Sequence, residues 1–263
     1  MIFAKKSFGQ HFLRDQSVLE KIVAAAVIQA EDIVVEIGPG RGALTEHLAF
    51  VGNRLILVEA DRELIPDLEA RFPLAKIVQA DAAHVDYTEL VQMKAAELGR
   101  QQADWILIGN LPYNAGNAII RQALTTQVPP KRQVVMLQRE VGEKMLAKPG
   151  DMSILSVAVQ VYADVKRVAT VKPGAFVPPP KVDSIVLALT PNVKADNPEA
   201  VIGVAKLAFA HKRKQMHRTL SDAGFGTSDV LKSKLLALGL SEHARPEELS
   251  IEQWIELSLL NAA

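Results

Sequence analysis

Cysteine is absent from this 263-residue sequence. That excludes a disulfide framework and any thiolate metal site. No apolar run reaches the roughly 18 residues that a membrane-spanning helix needs. Lys5 and Lys6 are followed by no apolar stretch, so the first 13 residues do not read as a secretory signal. The six histidines show no HxxxH spacing, and without thiolates beside them they imply no metal site. A cytoplasmic location, with no membrane and no metal, is the expectation. Net charge is also lacking: 30 basic residues balance 30 acidic ones.

The balance hides a segregation. Residues 1–30 carry +2, residues 31–104 carry −7, residues 105–218 carry +9 and residues 219–263 carry −4. Such segregation gives a positive face able to hold phosphates, unless folding averages it out in space. Hydrophobic residues make up 49% and charged residues 23%, an ordinary globular composition.

Val18, Leu19, Ile22, Val23 and Ala26 share one helical face, with Asp15 or Ser17 as the cap. Apolar β-type runs follow at 33–37, 54–59, 76–79, 104–109 and 133–137, separated by helical patterns near 43–51, 62–71, 89–98 and 115–126. Strands apolar on both faces that alternate with helices imply a buried parallel sheet. A helix near 153–161 and strands near 165–171 and 183–189 come next. The prolines of 172–182 forbid regular structure there. Residues 190–198 read as a linker, and only helical patterns remain beyond it. The expected organisation is an α/β, Rossmann-like domain over 1–190 and a small all-helical domain over 191–263.

The first strand runs into Glu36-Ile37-Gly38-Pro39-Gly40-Arg41-Gly42-Ala43. Gly38, Gly40 and Ala43 satisfy the GxGxxG/A spacing, which brings backbone close to a ligand. Glu59 ends the second strand, where a carboxylate accepts ribose hydroxyls, and Asp81 follows the third. This pattern fits NAD, FAD or S-adenosylmethionine. Acids outnumber cations here, and about 30 residues precede the first strand. Both features favour the cationic S-adenosylmethionine over a dinucleotide with its pyrophosphate.

The fourth strand ends in Asn110-Leu111-Pro112-Tyr113. An adenine amine is a poor nucleophile because its lone pair is delocalised into the ring. A side-chain oxygen from Asn110 and a backbone carbonyl, most naturally that of Pro112, can accept its two N–H bonds and favour a pyramidal nitrogen. Tyr113 offers a face on which a base stacks, worth roughly 1–3 kcal/mol. Phe176, in a proline-stiffened segment, is the candidate to sandwich the base from the other side. Residues 206–218 hold five Lys or Arg and no acid. Lys212, Arg213, Lys214 and Arg218 are candidates to grip phosphates.

These motifs occur in one order: residues 6–13, the glycine loop 36–45, the Asn-Leu-Pro-Tyr run at 110–113, and the segment 176–184. Together they resemble the small-subunit (16S) ribosomal RNA adenine dimethyltransferases, the kasugamycin-resistance family, over nearly the whole length. The resemblance implies dimethylation of N6 of two adjacent adenines in a hairpin loop near the 3′ end of that RNA, by a monomer acting on the small ribosomal subunit late in its assembly. It implies that His11 and Leu13 touch S-adenosylmethionine, that Gly38 lines its methionine part, Glu59 its ribose and Asp81 its adenine, and that Asn110 meets the transfer centre. It also implies that the phosphates gripped by Lys212, Arg213, Lys214 and Arg218 are those of RNA. The chain departs from the pattern at His11, often Asn in relatives, and at Ala115-Gly116-Asn117. Other readings are a large-subunit RNA methyltransferase of the macrolide-resistance type, a nicotinamide enzyme, and a non-catalytic RNA-binding assembly factor.

Overall fold

The computed structural model describes residues 11–113, 115–211 and 214–261. Nine strands occur among them: β1 (Phe12–Leu13), β2 (Ile33–Ile37), β3 (Leu55–Glu59), β4 (Lys76–Gln79), β5 (Trp105–Asn110), β6 (Arg132–Gln138), β7 (Ala163–Val171), β8 (Phe176–Val177) and β9 (Ser184–Pro191). Seven form one sheet in the order β4-β3-β2-β5-β6-β9-β7, and β1 pairs with β8 in a separate ribbon. β2 is parallel to β3 and β5, β4 is parallel to β3, and β6 is parallel to β5. β9 runs antiparallel to β6. This is a Rossmann-like sheet with helices in the connections.

The chain fixes this sheet through burial. Every residue of β2 and β3 is buried, as parallel strands covered on both faces require. Each fully buried Ile, Leu or Val there contributes about 1.5–3 kcal/mol. The helix Gln16–Ala26 buries Val18, Leu19, Ile22 and Ala26, and the Asp15 carboxylate accepts the Val18 N–H at 3.2 Å to cap it. After β4 the chain returns to the other side of β2 as β5. The strand order therefore reverses between β2 and β5, and a cleft at their carboxyl ends is the place for a ligand.

One expectation about local structure is corrected. Residues 172–182 are not wholly irregular: Phe176 pairs with Leu13 and Val177 with Phe12 in the β1–β8 ribbon. A residue preceding proline is pushed towards extended backbone, so Val177 before Pro178 suits an edge strand of two residues. The prolines limit its length instead of preventing it.

The chain divides into two compact units. The first holds the residues up to Gly142 and Val165–Pro191; the second holds Glu143–Asp164 and everything from Asn192 onwards. The segment before β7, placed by sequence with the sheet, belongs to the helical unit. Its helix Ile154–Gln160 packs on the helices Pro198–Phe209 and Ile251–Ser258. The N–H groups of Gly150 and Met152 both donate to the Glu247 carbonyl, at 2.8 and 3.2 Å. Helices Met216–Asp222 and Ser228–Ala237 complete that unit. No helix among the described residues is long and apolar enough to cross a membrane.

Candidate active site

A cleft of about 320 Å³ opens at the carboxyl ends of the parallel strands in the first unit. It brings together His11, Leu13, Gly38, Gly40, Glu59, Asp81, Asn110, Leu111, Pro112 and Tyr113, residues far apart in sequence. Topology explains the meeting: β2, β3 and β5 are neighbours, and each ends at this edge.

The glycine loop leaves β2 with Gly38 and Gly40 at φ +63° and +57°, a region that L side chains rarely adopt. A Cβ on Gly40 would also meet the Phe12 ring at 3.0 Å. Both positions therefore favour glycine, and the loop presents its backbone to the cleft. Glu59 is its partner across the strands: Oε2 accepts the Gly40 N–H at 3.0 Å and Oε1 accepts the Asp61 N–H at 2.9 Å. Burial raises the Glu59 carboxyl above its ordinary range, and those backbone donors oppose the shift. Asp81 is exposed and accepts the Ala83 N–H at 2.9 Å, with His84 at 3.3 Å. Glu36, in β2, is 1% exposed and lines the same cleft; burial pushes its carboxyl up to about 8.

β5 delivers Asn110 to the opposite wall. Gly109 precedes it because β2 passes so close that a Cβ would lie 2.4 Å from the Ile37 carbonyl oxygen. The Asn110 side chain donates from Nδ2 to the His11 carbonyl at 2.9 Å. A carbonyl only accepts, so this contact fixes which end of the amide faces His11. Asn110 Oδ1 is left without a partner among the described residues. Tyr113 is half-buried, its hydroxyl 2.9 Å from Ser184 Oγ and its ring stacked on His11 with centroids 5.7 Å apart. Burial raises the Tyr113 hydroxyl and the Ser184 contact opposes this. His11 Nδ1 in turn donates to the Pro178 carbonyl at 2.9 Å.

Two details differ from what the sequence suggested. The Pro112 carbonyl is already occupied: it accepts the N–H groups of Ala115 at 3.1 Å and Gly116 at 2.9 Å, where the helix Gly116–Thr125 begins. With both lone pairs engaged it is no acceptor for a substrate amine. The Leu111 carbonyl has no partner among the described residues, and Leu111 lines the cleft. Phe176 is the second correction. It is 2% exposed, belongs to the core with Leu13 and Leu19, and does not line the cleft. The ring beside Tyr113 is His11, whose imidazole no sequence signal connects to the tyrosine.

In the second unit, Lys214 and Arg218 line a polar depression together with Arg245 and Ser228. Lys214 lies 3.4 Å from Asp222. Lys212 and Arg213, like residues 6–10 of the N-terminal motif and Asn114, lie outside the described residues. Among the described residues no group of three or more His, Asp or Glu is placed to hold a metal ion.

Comparison with known proteins places the chain in a family. The chain is 41% identical over 263 residues to the ribosomal RNA small subunit methyltransferase A of Syntrophotalea carbinolica, covering 97% of this chain and 96% of that one. It is 37% identical over 270 residues to the protein of the same name from Geobacter metallireducens, covering 98% and 95%. The crystal structure of a dimethyladenosine transferase from Plasmodium falciparum superimposes with a TM-score of 0.78 at 25% identity, over 94% of this chain and 96% of that one. The 23S rRNA methyltransferase ErmE gives 0.75 at 22% identity, over 96% and 100%, and shows the shared fold. Residues 2–262 match the ribosomal RNA adenine dimethylase family, and the chain belongs to it.

Proposed function

We propose that this chain transfers methyl groups from S-adenosylmethionine to N6 of two adjacent adenines near the 3′ end of small-subunit (16S) ribosomal RNA. The observation that carries the chemistry is the oriented Asn110 side chain, which leaves one acceptor oxygen at the cleft beside a half-buried tyrosine. The names of the relatives support the small-subunit substrate.

The residues present fit the cofactor. Gly38 and Gly40 line the cleft with backbone in a conformation that side chains rarely adopt. Glu36, Glu59 and Asp81 bring three carboxyl groups to the cleft lining beside Arg14 and Arg41, a set of acceptors suited to a ligand with a sulfonium and an ammonium. When bound, S-adenosylmethionine supplies an electrophilic methyl group. Glu59 would hold its ribose, Asp81 its adenine, and the loop at Gly38 its methionine part, with His11 and Leu13 alongside.

The chain's own work is to prepare the amine. Asn110 Oδ1 and the Leu111 carbonyl accept its two N–H bonds, which draws the nitrogen lone pair out of conjugation and towards the methyl group. Tyr113, held by Ser184 and backed by His11, supplies the stacking face for an extruded base. Displacement is in line, so no covalent enzyme intermediate is required. Lys214, Arg218 and Arg245 of the helical unit, with Lys212 and Arg213, supply positive charge for RNA phosphates.

The test is transfer of labelled methyl to small ribosomal subunits lacking the modification, followed by digestion to nucleosides. Label in N6,N6-dimethyladenosine of small-subunit RNA is the expected result. Label confined to large-subunit RNA would replace the substrate assignment, and no label in either would overturn the reading.

A further inference from the structure

β2 is apolar except at Glu36. That residue is 1% exposed, lines the cleft, and leaves Oε2 without a hydrogen-bond partner among the described residues. A strand interior is an expensive place for a carboxylate with an unpartnered oxygen. The methyl-transfer chemistry described above does not use it.

Its neighbours give a charge little support, and burial outweighs it. Thr45, from the helix Ala43–Leu48, is close enough to favour the ionised form, but its Oγ1 makes no hydrogen bond of good geometry among the described residues. From β3, Glu59 faces it with the same sign of charge, and Asp61 beyond is held to Glu59 through its backbone N–H. The other ionisable groups lining the cleft are His11, Arg14, Arg41, Asp81 and Tyr113. Of the two cations, Arg41 lies over the Phe12 ring, 4.7 Å from its centroid. A carboxyl so placed keeps its proton, in line with the upward shift caused by burial.

We infer that Glu36 is a proton-coupled counter-ion of the cofactor: neutral in the cofactor-free protein, it ionises when the cationic methionine end enters the cleft, so that loading releases one proton to solvent. The balance is simple. The Glu36 O–H bond breaks, the proton leaves to buffer, and the carboxylate remains beside the bound cation. This inference rests on the S-adenosylmethionine reading above.

Calorimetric titration of the full chain with S-adenosylmethionine, in buffers of different ionisation enthalpy, counts the protons. At pH 6.5 the cofactor's own ammonium, titrating near 7.7–8.0, is almost fully charged and contributes little. The wild type is expected to release close to one proton more than E36Q, which retains the shape of the side chain. Between pH 6 and pH 7 wild-type affinity should rise roughly tenfold, while that of E36Q stays nearly flat. S-adenosylhomocysteine keeps the ammonium and lacks the sulfonium. An equal release with it assigns the proton to the ammonium, and release with S-adenosylmethionine alone assigns it to the sulfonium. Equal proton counts for wild type and a folded E36Q, with binding intact, would overturn the inference and leave the cofactor assignment standing. No binding of either compound to wild type would overturn both.

Discussion

The Asn110 side-chain amide donates to the His11 backbone carbonyl at 2.9 Å, so the N-terminal segment decides where the Asn110 oxygen points. Asn110→Ala removes that oxygen and should lower the single-turnover methylation rate by roughly 10²–10³-fold, the scale seen when one preorganised polar group is lost from a transition state. Cofactor affinity should change much less. Asn110→Asp keeps the shape but places a carboxylate against the His11 carbonyl, and should be similarly impaired. A rate within tenfold of wild type for both variants would contradict the role given to the amide.

Tyr113 meets Ser184 across 2.9 Å, hydroxyl to hydroxyl, and Ser184 is fully buried at the start of β9. Ser184 acts through the tyrosine as a positioning residue. Ser184→Ala should slow methylation by about fivefold, equivalent to a hydrogen bond of about 1 kcal/mol. In a Tyr113→Phe background the same substitution should have little further effect, since the hydroxyl pair is already broken. Additive losses in the double variant would show that Ser184 acts elsewhere.

Phe176 contributes chiefly to stability. Its ring is 2% exposed within the core of the sheet unit, so Phe176→Ala should cost about 3–5 kcal/mol in chemical denaturation. Phe176→Leu should recover most of that. A loss below 1 kcal/mol for the alanine variant would mean that the ring is not packed as described.

The cleft is legible in the sequence because parallel α/β sheets bind ligands where strand order reverses, and strands of apolar residues are easy to recognise. Glycines after β2, Glu59 at the end of β3 and Asn110 at the end of β5 therefore fall at one edge on sequence grounds alone. What is not legible depends on pairings between distant segments. Nothing local in Phe12–Leu13 announces a ribbon with Phe176–Val177, and that ribbon is what turns Phe176 inward and His11 towards Tyr113. The occupied Pro112 carbonyl likewise follows from where the helix Gly116–Thr125 starts, one residue after the expected position. Adjacency in sequence places residues 143–164 with the sheet, although they pack against helices much later in the chain.

Lys214, Arg218 and Arg245 share one depression of the helical unit, and Lys214 and Arg218 are exposed. Charge reversal at Lys214 and Arg218 together should weaken binding to small subunits. It should also flatten the plot of log affinity against log salt by about 0.7–0.9 for each phosphate that is no longer neutralised. Filter binding at several salt concentrations measures both. An unchanged slope would remove these residues from the RNA interface.

Glu36 also makes a prediction for the cofactor-free protein. Its folded-state carboxyl titrates at about 8, against an ordinary value of 4.5. Between these values the folded chain holds a proton that the unfolded chain has released, so unfolding expels it. The contribution of this group to stability is therefore fully present below about 4.5 and is lost as the pH rises towards about 8. Glu36→Gln cannot ionise and escapes that loss. Its melting temperature should exceed that of the wild type at pH 8, and the gap should narrow steadily as the pH is lowered towards 5. A gap independent of pH would mean that Glu36 is already ionised in the folded protein, compensated by a partner, and its burial would then need a different explanation.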